Sequence, residues 1–135
     1  MIDPVWMLLD THIWIWWLNQ DARLPISIRR RIELGSESLC ISSVSVYETL
    51  LLIRRGRLRI DMPEEEWLRQ ATVNADIRVL SVSAAIAERA ALLPLLHGDP
   101  LDRLIIATAL HHPALLVSLD GQFQHYPIPD TLRIH

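Results

Sequence analysis

Apolar and polar positions along this chain fall into blocks whose period changes. Val5-Trp6-Met7-Leu8-Leu9 is a continuous apolar run, the mark of a strand buried on both faces. Asp10 ends it, and the spacing predicts a helix over Thr11–Asn19. A second helix is expected over Ser27–Leu34, with Gly35 as its stop. Ser38–Ser42 reads as a strand, followed by a helix from Val44 to Arg55 that Gly56 ends. In that helix Ser45 and Glu48 make an S-x-x-E capping-box pattern. Asp61-Met62-Pro63-Glu64-Glu65-Glu66 opens another helix, with proline and acids where a helix start favours them. Ile77–Val82 is a third strand, and Ser83 caps an alanine-rich helix that Pro94 ends. Gly98-Asp99-Pro100 starts a helix reaching His111. Leu115–Leu119 is a fourth strand ending at Asp120-Gly121, and Leu132–Ile134 predicts a short edge strand.

Strands that alternate with helices give an α/β fold. The expected architecture is three-layered: a mainly parallel central sheet of four or five strands, with helices on both faces. There is no repeat, linker or low-complexity segment, so residues 1–135 are expected to form one domain.

Composition narrows the chemistry. Half of the residues are hydrophobic, which excludes a disordered chain. The formal charge of −3 argues against coating nucleic acid by bulk charge, while leaving room for a local basic patch. All 13 basic residues are arginine, so every mechanism needing a catalytic lysine is excluded. That removes phosphatase and receiver-domain readings of Asp10, which rely on a lysine beside the aspartate. The one cysteine, Cys40, excludes an intrachain disulfide and a cysteine zinc site, and fits a reducing cytoplasm. Asp3 and Pro4 stand where a signal peptide needs basic residues, and Ile13–Leu18 falls far short of the ~20 apolar residues of a membrane span.

Four acids then claim attention: Asp10, Glu48, Asp102 and Asp120. Asp10 and Asp120 follow predicted strands, the edge of a parallel sheet where ligands bind. Taken singly, Asp10 reads equally well as a helix cap and Asp120 as a D-G turn. Glu48 and Asp102 resist such readings. Val44, Tyr47 and Leu51 share a helix face with Glu48, and Ile105, Ile106 and Ala109 share one with Asp102. A carboxylate on an apolar face is costly unless something neutralises it. Asp99 has the position of a helix cap and also stands close to Asp102 in sequence. An all-oxygen acidic set suits Mg²⁺ or Mn²⁺, and such ions commonly act on phosphate esters.

Other residues carry weaker signals. His12, two residues after Asp10, could approach the site but reads first as a helix-surface residue, and His97 reads as structural. Arg29-Arg30-Arg31 and the group Arg54, Arg55, Arg57 and Arg59 are solvated runs that could hold backbone phosphates if the site takes a polyanion. Arg103 is a candidate for a phosphate contact or for pairing with an acid. Trp14, Trp16 and Trp17 occupy more than one helix face, so one or two belong to the core and the rest to a partner surface.

The order of these motifs resembles the PIN-domain ribonucleases, and more narrowly the VapC-type toxins of toxin–antitoxin pairs. The resemblance rests on Leu8-Leu9-Asp10-Thr11-His12, Ser45-Val46-Tyr47-Glu48, Asp99-Pro100-Leu101-Asp102-Arg103-Leu104-Ile105-Ile106-Ala107 and Ser118-Leu119-Asp120. It implies a Mg²⁺- or Mn²⁺-dependent endoribonuclease with an RNA substrate, a homodimer, and an antitoxin protein that covers the site. By that resemblance Asp10 and Asp102 match the principal metal ligands, and Glu48 and Asp120 the other acids. Thr11 and Ser118 match hydroxyl positions beside the substrate, and Asp99 an extra acid of the subgroup. Gly98 and Leu101 depart from the basic residue and Phe that the subgroup often carries. A PIN-like module that binds RNA or protein without cutting is the alternative.

Overall fold

The computed structural model describes residues 6–95, 99–129 and 132–134. Val5, His97, Gly98, Asp3 and Asp130 lie outside the described residues. In chain order the elements are β1 (Trp6–Leu9), α1 (Thr11–Asn19), α2 (Ile26–Leu34), β2 (Ser38–Ser42), α3 (Ser43–Arg54) and α4 (Glu64–Ala71). They continue with β3 (Arg78–Leu80), α5 (Ala84–Ala91), α6 (Pro100–His111), β4 (Leu115–Val117) and β5 (Arg133–Ile134). A short 3₁₀ turn covers Gly121–His125.

The five strands form one sheet in the order β3-β2-β1-β4-β5, and every pairing is parallel. β1 sits at the centre, so its side chains alternate between two cores. Met7 and Leu9 join a cluster with Ile13, Trp14, Ile41 and Val117. Leu8 joins the opposite cluster with Ile105, Ile106, Leu116 and Phe123. All three strand residues are fully buried, which is why the run is apolar without alternation. Among the described residues no helix is long and apolar enough to cross a membrane.

Several boundaries moved. β3 and β4 end earlier than their apolar runs, so Ser118, Leu119 and Asp120 lie beyond the sheet. α3 starts at Ser43, and Ser42 is its cap, with its hydroxyl accepting from the Val44 N–H at 3.1 Å. The Ser45–Glu48 capping box is therefore wrong: both residues are inside the helix. Gly56 does end α3, in a left-handed conformation (φ 72) that lets the Arg57 N–H reach the Leu52 carbonyl at 2.9 Å. Gly35 ends α2 in extended backbone instead; a β-carbon there would meet the Arg31 carbonyl at 2.7 Å.

One buried polar contact pins α1 to the last residue of α4. The Trp14 indole N–H donates to the Ala71 carbonyl at 3.0 Å, with both residues buried. Trp14→Phe leaves that carbonyl unpaired, so urea unfolding should show a loss of about 1–3 kcal/mol. An unchanged midpoint would mean that the contact carries no stability.

Candidate active site

The strand order places the site. The chain leaves β1 toward β2 on one side and returns to β4 on the other, so the crevice at the carboxyl ends of β1 and β4 is a topological switch point. Asp10 follows β1, and its N–H is bonded to the Val117 carbonyl at 3.0 Å. Asp120 follows β4 by three residues, reached through Ser118 and Leu119. α3 and α6 deliver the remaining acids, and α3 touches both α1 and α6.

Asp10, Glu48, Asp99, Asp102 and Asp120 line one open pocket of about 460 Å³, with Thr11, His12, Ile13, Trp16 and Leu119. Asp10 is buried and held at both oxygens. Its Oδ1 accepts from the Thr11 N–H at 2.8 Å and its Oδ2 from the Ser118 hydroxyl at 2.9 Å. The Ser118 oxygen in turn accepts the Asp120 N–H at 2.9 Å, tying the two strand-end acids together. The Thr11 hydroxyl donates to Glu48 Oε1 at 2.9 Å and lies 2.8 Å from the Ser45 hydroxyl. Asp99 caps α6 through Oδ1, which accepts the Leu101 N–H at 2.8 Å, and Pro100 is the first helical residue.

Burial and mutual repulsion raise the proton affinity of Asp10, Glu48 and Asp102. Desolvation is the larger cause for Asp10, opposed by the Ser118 and Thr11 hydrogen bonds. Glu48 is raised by desolvation, partly offset by the Thr11 hydroxyl, and by the charges of Asp10 and Asp99. Asp102 is pushed up to about 7 by desolvation first, then by Asp10, Asp120, Asp99 and Glu48. His12 acts the other way and lowers both Asp10 and Glu48. The donors are all carboxylate oxygens, which fit a hard divalent cation. Among the described residues, however, no group of three closes tightly enough to enclose an ion. The acids ring the pocket rather than meeting at one point.

Three expectations need correction. Arg103 turns away from the pocket. Its guanidinium donates to the carbonyls of Pro94 at 2.6 Å and of Ala90 and Leu93 at 2.8 Å, and it packs over the Tyr126 ring. It closes the end of α5 against α6 and is neither a phosphate contact nor an acid's partner. Thr11 and Ser118 are buried, with their hydroxyls spent on Glu48 and Asp10, so they orient acids rather than touch substrate. Tyr47 does not share the inward face with Glu48; it is 58% exposed, although Val44 is buried. The face of Asp102 is as expected, with Ile105, Ile106 and Ala109 fully buried.

Sequence reasoning placed Ser45 elsewhere and did not assign Trp16 to the site. Ser45, fully buried, faces Thr11 instead of capping α3. His12 is exposed, as a surface residue should be, and it also approaches the site, lining the pocket one helical turn before Trp16. Trp16 is a pocket residue too. Neither arginine cluster lines the pocket, and Arg31 pairs instead with Glu37.

The raised proton affinity of Asp102 sets a pH dependence. Its carboxyl holds a proton more tightly folded than unfolded, so its contribution to stability falls as pH rises from about 4 through 7. Without metal, Asp102→Asn should therefore melt higher than the unchanged chain at pH 8. The difference should shrink toward pH 4. Screening in the open pocket limits it to on the order of 1 kcal/mol. Melting curves in chelator across that range test this; a gap that grows as pH falls would contradict it.

The PIN-domain family model matches residues 7–129. A ribonuclease VapC22 of Mycobacterium tuberculosis is 32% identical over 129 residues, covering 95% of this chain and 97% of that protein. Among solved structures, the VapBC2 complex of Rickettsia felis bound to a promoter DNA fragment contains a chain with TM-score 0.68 and 20% identity, covering 91% of this chain and 94% of that one. A toxin–antitoxin complex from Klebsiella pneumoniae gives 0.67 at 22% identity, covering 96% of each chain. The Mycobacterium tuberculosis VapC20, a sarcin–ricin-loop-cleaving toxin, gives 0.61 at 21%, covering 87% of this chain and 92% of that one. With the family match across nearly the whole chain and that level of identity, the chain belongs to the PIN-domain family, in its VapC branch.

Proposed function

We propose that this chain is a metal-dependent endoribonuclease, the toxin of a type II toxin–antitoxin pair, working in the cytoplasm as a homodimer of one-domain subunits. The observation that carries the reading is the gathering of five carboxylates, from two strand ends and two helices, around one open pocket at the switch point. Relatives named as VapC ribonuclease and as toxin–antitoxin complexes support the RNA substrate and the antitoxin partner.

VapC-type PIN nucleases are generally metal-dependent. In this chain Asp10 and Asp102 would be the principal ligands of Mg²⁺ or Mn²⁺, with Glu48 and Asp120 completing the set. Asp99 spends one oxygen on its cap and adds charge at the rim. A bound cation would offset acid repulsion and stabilise charge on the phosphoryl oxygens. Ser118 and the Thr11 N–H fix Asp10, so its carboxylate points one way before substrate arrives. Glu48, oriented by the Thr11 hydroxyl and with raised proton affinity, accepts a proton from the attacking water. The water oxygen bonds to phosphorus, the bond to the leaving ribose oxygen breaks, that oxygen takes up a proton from solvent, and Glu48 returns its proton to solvent.

Two experiments bear on this. Structured RNA incubated with the protein and Mn²⁺ should be cut, and cutting should stop with EDTA or in Asp10→Asn. Cleavage that survives either control sinks the metal-nuclease reading. Millimolar Mn²⁺ should also raise the melting temperature by binding the folded state, more at pH 8 than at pH 5 because protons compete for the same carboxylates. An equal rise in Asp10→Asn/Asp102→Asn would contradict a shared site.

A further inference from the structure

Trp16 differs from its neighbours in α1. Trp14 is fully buried and hydrogen-bonded, and Trp17 is a half-buried edge of the core. Trp16 is also half-buried against that core, but it forms part of the wall of the acidic pocket as well. The His12 ring, on the same wall, is 6.0 Å from the Trp16 ring centroid to centroid.

The local chain then sets a cation on that indole. α1 ends at Gln20 in the left-handed conformation (φ 50), which lets the Asp21 N–H reach the Trp16 carbonyl at 2.9 Å. Asp21 grips Arg23 through contacts of 2.7 Å from Nη2 and 3.1 Å from Nε. That grip holds the guanidinium 5.3 Å from the Trp16 ring centroid. The Arg23 side chain is 71% exposed, so the grip of Asp21, not burial, fixes it.

We propose that Trp16, with Arg23 against it, is the stacking platform for an unpaired nucleobase next to the scissile phosphate. The inference rests on the ribonuclease reading and names the part of the RNA that the site takes. The pocket wall carries five carboxylates and one histidine, so bulk charge repels an RNA backbone until cations intervene. Stacking attracts without charge, and it tolerates any base because every base has a π face. An arginine against the indole adds a cation that can meet the neighbouring phosphate. Such a platform selects RNA whose bases are splayed out, in loops or single strands, because a paired and stacked base presents no free face.

The test starts from wild-type protein, Mn²⁺ and bacterial tRNA and rRNA. A mapped cut site is rebuilt as a synthetic hairpin, and an abasic nucleotide is placed in turn on each side of the cut. For wild type, one abasic position should raise KM about tenfold, with kcat little changed. Trp16→Leu should raise KM similarly on the intact hairpin, yet gain no further loss from that abasic position. Trp16→Tyr should stay close to wild type. Additive losses, or an abasic scan without effect in wild type, overturn the platform while leaving the ribonuclease reading intact. A wild type that cuts no RNA sinks both. Should Trp16→Leu fail to fold, 2-aminopurine at the sensitive position decides: its fluorescence should be quenched on binding to Asp10→Asn protein. A bound but unquenched base overturns the proposal.

Discussion

Burying the Asp10 carboxylate costs free energy, and much of the surrounding structure offsets that cost. Burial alone drives its proton affinity up, while the Thr11 N–H and the Ser118 hydroxyl pull it back. Those two groups are available because Asp10 sits between the end of β1 and the start of α1, with β4 alongside. The same Thr11 then turns its hydroxyl to Glu48, and the same Ser118 takes the Asp120 N–H. A small set of hydroxyls therefore links acids from three parts of the chain. Removing the Thr11 hydroxyl would release the Glu48 carboxylate, and removing the Ser118 hydroxyl would release the Asp10 carboxylate and the Asp120 N–H.

The hydrogen bonds cover only part of the repulsion. Asp102 is affected by every other acid of the pocket. Its backbone is nevertheless fixed, because Asp99 caps α6 and Arg103 fastens the next residue of that helix to the end of α5. The fold thus holds the acids at separations that a folded chain can bear, ringing a pocket, and leaves the remaining charge to be met from solution. The rigid cores on both sides of the sheet make that tolerable, since Leu8, Met7, Leu9, Ile105 and Ile106 are fully buried and need no help from the site.

How much of this was legible in the sequence follows from which interactions are local. The strand order could not be read, but the apolar run of β1 and its terminal Asp10 could, because adjacency in sequence is adjacency in space there. The inward set of Asp102 was legible from helical period alone. Ser45 was not, because its reading depended on whether α3 starts at Ser43 or two residues later, and the cap proved to be Ser42. Tyr47 followed the wheel on paper and faces solvent in fact, since the wheel says nothing about where the covering elements stop. Arg103 was the least legible. Its partners are carbonyls of Ala90, Leu93 and Pro94, and backbone carbonyls carry no residue-specific signal.

Arginine usage ties these points together. A chain with 13 arginines and no lysine could be taken for one that grips phosphate everywhere. The structure spends several of them otherwise: Arg103 on helix-end carbonyls, Arg31 on Glu37, Arg29 on the Asp21 carbonyl, and Arg23 on Asp21 and Trp16. The planar fork suits each of these tasks, because it makes several directed bonds at once where an ammonium is a point charge. Within the pocket itself the ionisable side chains are acidic apart from His12, so positive charge for a phosphate would have to arrive with a cation or from outside the pocket. Arg23 sits against Trp16, a wall residue of that pocket, with its fork paired to Asp21.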